Sequence, residues 1–420
     1  MPEPWVRHTG MRRPLIVVLT IALALGVRAA DWPQHLGPER NGVGAVGEAP
    51  FPETFEGDLE VLWEKDLGTG FAGPVIAGGL ALIFHREGDE AALDAVDPLN
   101  GRSKWRYAYR TDYVDSFGFD NGPRAIPTVQ EGTVYLHGAD GQVHAVNLAD
   151  GRRVWSYDTV SELGSGQGYF GRVGAPLIAG ELVVIPAGGE LEGKPAGMVA
   201  LDRKNGSVRW TGVDDEAGYS SPVLDGFGHI VAWMRNRLWI VDAASGEVRD
   251  SVHFRSDMDA SVNACTPLVL ERNRIFTSAG YGVGAGLWEV SEAGKLTEVW
   301  IRHDWMDCHY GTPVEFEGHL YGFDGRQETG QTLRCVGLNS GKRLWDSDRL
   351  PGGTLLRVGS KVVVVTEQGE LWIVPASPNR FDPIHRQQLF RSGHRSHPAY
   401  ADGILYARDS EKLVAVRLSP

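Results

Sequence analysis

The 420-residue sequence predicts an all-β fold, an eight-bladed β-propeller of four-stranded antiparallel blades. Three observations carry that expectation. A turn motif recurs along the chain, a proline recurs at similar intervals, and the two ends hold half-units that complete each other. The composition agrees: 54 Gly are spread over the whole chain and mark many turns. Short apolar runs bounded by Gly, Asp and Asn stand where long amphipathic helical patterns would otherwise run.

The first element is a targeting segment, residues 1–30, with the signal peptide itself near residues 11–30. Arg12 and Arg13 precede an apolar run from Leu15 to Leu25, and Val27 and Ala29 supply small residues ahead of a cleavage position. The run is short for a membrane span, and Met11 is an alternative start. No Cys lies near the cleavage position, so the chain is expected to be exported to the periplasm, envelope or exterior, but not as a lipoprotein. An uncleaved N-terminal anchor is the other reading. Residues 31–60 read as an N-terminal extension, and residues 61–420 as one propeller.

The turn motif is an apolar run, Asp or Asn, a short turn, Gly, and Trp four residues on. It stands as Ala95-Val-Asp-Pro-Leu-Asn-Gly-Arg-Ser-Lys-Trp105, and again around Trp155, Trp210 and Trp345. A copy at Val241–Gly246 carries Asp250 where Trp would stand, and the copy ending at Trp300 is looser. The stretch from Pro375 to Phe381 is degenerate and lacks the Gly. Asp or Asn opens such a turn by bonding the backbone, and Gly takes the left-handed position. The Trp set, Trp63, Trp105, Trp155, Trp210, Trp300 and Trp345, is read as structural, each ring packing between neighbouring repeats. Trp239, Trp288 and Trp372 are expected in the core.

The second marker is a Pro opening another strand: Pro74, Pro127, Pro176, Pro222, Pro267, Pro313 and Pro398, with one gap near Leu355. Each start is followed by a tight turn, so a unit is four strands and there are eight units. The last unit ends at Pro420 without an outer strand. Val61-Leu-Trp-Glu-Lys65 is an outer strand without a unit. Ring closure joins them, and it removes an open sheet edge.

In such blades the tight turns and the Asp…Gly turns share one face, which is short and regular. The opposite face carries blade-to-blade connections of very different lengths, where function is expected. Converging on the axis, these loops predict an acidic, aromatic funnel with His and Arg inside. The candidate ligand-binding residues are Asp120, Asn121, Arg124, Tyr169, Arg172, Asn263, Asp307, His309, Tyr310 and His397. Phe170, Arg255, Asp257, Asp259, His394 and Arg395 lie on the same loops.

No metal site is assigned. His303, Asp304, Asp307 and His309 offer ligand chemistry for Zn, Mn or Fe, but without a helical ligand spacing, and turn capping is the plainer role. Asp112, Asp115, Asp120 and Asn121 offer oxygens for Ca²⁺, but without an EF-hand pattern, and a solvated acidic loop is the plainer role. Arg124, Arg172 and Arg395 either clamp an anion or pair with these carboxylates. Three Cys cannot all pair. Cys265 and Cys308 occupy similar places in successive repeats and are the pair that could bond, whereas Cys335 reads as a buried thiol.

Formal charge is −13, and residues 1–30 hold four Arg against one Glu, so a processed chain is more acidic still. Nucleic acid is therefore not an expected partner, because phosphate binding needs a basic face. A monomer is expected.

The repeated Asp…Gly…Trp units and the eight-fold count over residues 61–420 resemble the PQQ-repeat propellers. That superfamily includes quinoprotein alcohol dehydrogenases and the BamB scaffold of outer-membrane protein assembly. The opening Asp31-Trp-Pro-Gln…Gly37-Pro-Glu-Arg-Asn-Gly42 is similar to exported PQQ-like propellers of planctomycete-type bacteria. The resemblance implies one of two functions. The first is a non-enzymatic envelope or periplasmic scaffold that binds an envelope protein, or a small or polymeric ligand, through its long-loop face. The second is a PQQ-dependent alcohol dehydrogenase holding the quinone with Ca²⁺. Cys265, Cys308 and Cys335 are isolated, no CxxCH is present, and no quinone-site residue is carried over, so no cofactor and no catalytic residue is assigned. A third reading, a polysaccharide hydrolase or lyase, would need a carboxylate pair such as Asp120 with Asp307 at a suitable distance.

Overall fold

The computed structural model describes Met1 and residues 31–45, 51–391 and 395–419. The proposed signal peptide and His394 lie outside the described residues. The strands form eight sheets arranged as consecutive blades. Blade 1 is Val75–Ala77, Leu80–Glu87, Glu90–Val96 and Ser103–Arg110, from the inside outwards. In seven blades the innermost strand begins one residue after a marker proline. Proline suits that place, since it needs no ladder partner for an N–H. The exception is blade 7, whose inner strand Gly353–Val358 pairs in parallel with an additional strand, Val43–Gly44.

The ring closes as the half-units require. Val61–Asp66 is the outer strand of blade 8, antiparallel to Lys412–Arg417, with Trp63 opposite Ala415 and Lys65 opposite Leu413. The only α-helix among the described residues is the single turn Thr159–Leu163, in the connection into blade 3.

The repeat motif has a geometric reason. In seven of the eight blades the outer ladder slips by one residue just before the Trp position. Such a bulge re-aims the next side chain. The Trp ring then crosses to the following blade and lies on the turn glycine there: Trp63 on Gly101, Trp105 on Gly151, Trp155 on Gly206 and Trp210 on Gly246. These glycines have φ of 69–75°, and a Cβ on any of them would meet the ring at 2.5–2.8 Å. Each indole N–H donates to a carbonyl of the same turn, as Trp155 does to Arg203 at 2.8 Å. Blade 7 lacks the Gly, the Trp and the bulge together. Trp300 departs from the rule. It meets Trp305 edge-on at 4.6 Å, and Arg302 takes its place over Gly341.

Residues 31–45, the first part of the N-terminal extension, pack against the inner ends of the blades. They touch the innermost strand of every blade, or the residues that lead into it. Trp32 bridges Ile76, and the Pro33 carbonyl accepts from Val129 N–H. Arg40 donates to the carbonyls of Pro176 and Pro222 and to Thr128 Oγ1, and His35 bonds Thr266 Oγ1 at 3.0 Å. Gly42 and Gly44 lie against Val314 and Tyr400, and Arg357 N–H donates to the Gly42 carbonyl. The segment therefore fills the propeller axis. Arg40 is fully buried without a carboxylate, and burial lowers its pKa to about 9.

Candidate functional site

Above this plug, on the long-loop face, the axis widens into a cavity of about 190 Å³. Its walls are mostly apolar: Phe71, Phe119, Ile126, Phe170, Val173, Val262 and Ala264. Its polar lining comes from His35, Arg124, Tyr219, Tyr281, His309, Tyr310, Arg395 and His397, with Gln327 and Glu328 at one side.

Four of the ten predicted residues line it: Arg124, His309, Tyr310 and His397. The other six lie outside its lining. Asp120 accepts from Gly70 N–H at 3.0 Å and Gly122 N–H at 2.6 Å. Asn121 accepts from Asp115 N–H, Arg172 donates to Ser165, and Asn263 donates to the carbonyls of Met234 and Arg235. Tyr169 stands on the rim beneath the Arg235 guanidinium, 5.4 Å from its ring centre. Asp307 faces Asp324, whose Oδ1 accepts its N–H at 2.8 Å.

The acidic character predicted for the funnel is therefore corrected. Neither Asp120 nor Asp307 lines the cavity: Asp120 holds backbone N–H groups, and Asp307 lies half-buried beside Asp324, so the two do not present a carboxylate pair there. Asp115 shows the same economy. It accepts from the N–H groups of Phe117, Phe119 and Asp120, and from Arg124 at 2.8 Å. The guanidinium also donates to the Asp120 carbonyl at 3.0 Å, so the acidic loop closes around an arginine. Glu367 is held in the same way, by Arg395 at 3.0 Å and by the Tyr310 hydroxyl.

Sequence reasoning missed His35, Phe71, Tyr219 and Tyr281. His35 carried the one available signal, since its segment repeats no blade pattern yet holds Trp, His and Arg close together. Its ring meets His397 edge-on at 4.9 Å. Tyr281 lies in a Gly-rich turn of blade 5, and its hydroxyl bonds His309 Nε2 at 3.0 Å, while Gln327 bonds the other ring nitrogen.

Burial sets the charge of these groups. It lowers His309 and His397 to about 4, and holds His35 well below its ordinary value with help from His397 and Arg40. It raises Tyr310 far above its ordinary range, with Glu367 adding to the effect. At neutral pH the imidazoles and phenols are neutral, and the two arginines are matched by Asp115 and Glu367. The cavity is aromatic, apolar and internally hydrogen-bonded. A Ca²⁺-bound quinone would need free carboxylate oxygens here. Both oxygens of Asp115 and Oε1 of Glu367 are already bonded, and no group of three His, Cys, Asp or Glu suited to a metal occurs among the described residues. The residues present do not fit that cofactor.

An aromatic strip runs from the cavity to the rim. Phe170 lies between Tyr219 at 5.6 Å and Phe117 at 5.3 Å, and Phe119 stacks against Phe117 at 6.4 Å. Phe117 and Phe119 remain 56% and 57% exposed. Large apolar side chains held out together mark a contact surface.

The PQQ-repeat family model described as outer membrane protein assembly factor BamB matches residues 56–221 and 170–322. The BamB of Moranella endobia is 23% identical over 259 residues, 59% of this chain and 61% of that protein. The dehydrogenase subunit of a quinone alcohol dehydrogenase from Komagataeibacter europaeus is 31% identical over 166 residues, 37% of this chain and 21% of that subunit. The match thus takes in less than two thirds of either relative. Among solved structures, BamB from Moraxella catarrhalis aligns with a TM-score of 0.64 at 14% identity, over 86% of this chain and 98% of that one. The quinohemoprotein alcohol dehydrogenase of Comamonas testosteroni aligns with a TM-score of 0.70 at 13% identity, over 93% and 80%. These structural likenesses speak for the fold. With a family model spanning more than half of the residues, and the repeats and ring closure that go with it, the chain belongs to the PQQ-repeat propeller family that the BamB model describes.

Proposed function

We propose that this protein is a non-enzymatic binding propeller of the cell envelope, which holds a partner against its long-loop face. The observation that carries this reading is the strip of Phe117, Phe119 and Phe170. It leads from an exposed rim into an apolar cavity whose charged groups are already paired. Such a surface offers burial of aromatic area, the main source of binding energy at protein contacts, and offers little to a reacting group. The partner is an envelope protein or a polymer displaying apolar groups. The relatives include a named assembly factor, which fits a scaffold role, and named quinone alcohol dehydrogenases, which supply the rival reading.

One experiment separates the two. The purified protein is given pyrroloquinoline quinone with Ca²⁺, and the quinone absorbance and dye-linked alcohol oxidation are recorded. Saturable uptake with turnover overturns the binding-protein reading. The expected result is no turnover, together with an envelope partner whose retention is lost in a Phe117→Ser/Phe119→Ser variant of unchanged circular dichroism.

A further inference from the structure

Three buried cysteines are present, and two of them share one cluster. Cys265 precedes the inner strand of blade 5, and Cys308 lies in the connection into blade 6. Both are fully buried in one apolar cluster between these blades, with Trp305, Met306 and Leu320. All three cysteines are free thiols, and Cys265 Sγ lies 3.8 Å from Thr312 Oγ1, four residues beyond Cys308. The two segments are already held together. Thr266 N–H donates to Thr312 Oγ1 at 3.0 Å, and Cys308 N–H donates to Ser278 Oγ of blade 5 at 2.9 Å. Cys335 lies apart, in a different cluster with Tyr321 and Trp345.

We propose that Cys265 and Cys308 form a disulfide that locks blade 5 to blade 6 behind the wall of the axial cavity. The flanking residues give the bond its consequence. Ala264 and Thr266 line the cavity on one side of Cys265, and His309 and Tyr310 line it beyond Cys308. A covalent link here fixes the spacing of two cavity walls that come from different blades. A bond across two repeats also restricts the unfolded chain, where a disulfide gains much of its effect.

The oxidant is a small-molecule or protein disulfide. One cysteine thiolate attacks it, forming a mixed disulfide and releasing one thiol. The second thiolate then displaces the other half. Two protein thiols are oxidised, one external disulfide is reduced to two thiols, and the two protons go to the released thiolates. The step belongs to folding. Once the blades close, burial pushes the Cys308 thiol up, and a thiol without its thiolate is a poor nucleophile.

The test is to refold the reduced, denatured chain in a mixture of oxidised and reduced glutathione, and in parallel in dithiothreitol. Each sample is alkylated under denaturing conditions and mapped by non-reducing peptide mass spectrometry. The expected product in glutathione joins the Cys265 and Cys308 peptides, lighter by two hydrogen atoms, with Cys335 alkylated. It melts at a higher temperature than the dithiothreitol product. The shift persists in Cys335→Ser and vanishes in Cys265→Ser/Cys308→Ser. Alkylation of all three cysteines after glutathione refolding, or a link through Cys335, overturns the proposal.

Discussion

Asp115 accepts a 2.8 Å bond from Arg124, and the two side chains keep only 0% and 5% of their surface exposed. The pair stands where the loop from blade 1 turns into blade 2. Phe117 and Phe119 are presented from this loop because Asp115 also holds their N–H groups. Asp115→Ala leaves a buried guanidinium without its counter-charge and frees three N–H groups at once. Removing one partner of a buried pair costs about 3–5 kcal/mol. The expected outcome is a lower urea midpoint and new protease cleavage within residues 111–122, both read against wild type. An unchanged midpoint would show that the loop does not depend on this carboxylate.

Arg40 makes the second case. Its guanidinium serves the carbonyls of two blades and a threonine of a third, 88 to 182 residues away along the chain. Arg40→Ala leaves these acceptors short of donors and opens a hole on the axis, a loss of about 2–4 kcal/mol in unfolding free energy. Arg40→Lys recovers only part, since an ammonium is a point donor and cannot span the acceptors as a planar fork does. Equal stability of the Ala and Lys variants would remove the fork from the explanation.

These two residues also mark where the sequence could be read and where it could not. The eight blades, the outer strand at Val61–Asp66 and the packing of Trp63, Trp105, Trp155 and Trp210 follow from local turn chemistry repeated at a fixed spacing. Repetition makes local chemistry legible. Arg40 belongs to a segment that occurs once, and its partners lie in three different blades, so no period points to it. The carboxylates failed for another reason. Asp115, Asp120 and Asp307 read alike as loop acids. Whether such a side chain faces a cavity or its own backbone N–H groups is decided by the fold of the connection, which has no repeat.

The pH dependence of stability follows from burial. His137, His144, His309 and His397 are each lowered to about 4, with burial as the leading cause. The unfolded chain takes up these protons near pH 6.5, before the folded one does. Their contribution is complete above about pH 6.5 and is lost as pH falls towards 4, each at up to about 1.4 kcal/mol per pH unit. Asp307 works in the opposite direction. Burial and Asp324 raise it to about 7, so the folded state binds its proton first and gains stability as pH falls below 7. One of its oxygens is buried without a hydrogen-bond partner. Asp307→Asn is therefore expected to stabilise the protein at pH 8 by about 1–3 kcal/mol. It also steepens the loss between pH 6.5 and 4. Urea unfolding at pH 8, 6 and 5 measures both effects, and a variant less stable than wild type at pH 8 would reverse the assignment.

The closing seam makes the sharpest comparison of size against hydrogen bonding. Trp63 covers Gly101 of blade 1 with its ring and donates to the Pro98 carbonyl at 2.9 Å. Tyr406 of blade 8 donates to the same carbonyl at 3.1 Å. Trp63→Phe therefore leaves that acceptor satisfied and keeps most of the ring, a change of about 1 kcal/mol or less. Trp63→Ala strips the seam of its apolar cover, at about 3–5 kcal/mol. The strand that carries it, Val61–Asp66, is the one outer strand tied to its blade from the far end of the chain, by pairing with Lys412–Arg417. Loosening it opens the ring itself, so Trp63→Ala is expected to speed unfolding more than Trp105→Ala, which removes an equivalent ring from an outer strand joined to its own blade by a turn. Stopped-flow unfolding in urea compares the two rates. If Trp105→Ala unfolds as fast or faster, the seam is no weaker than the other blade contacts.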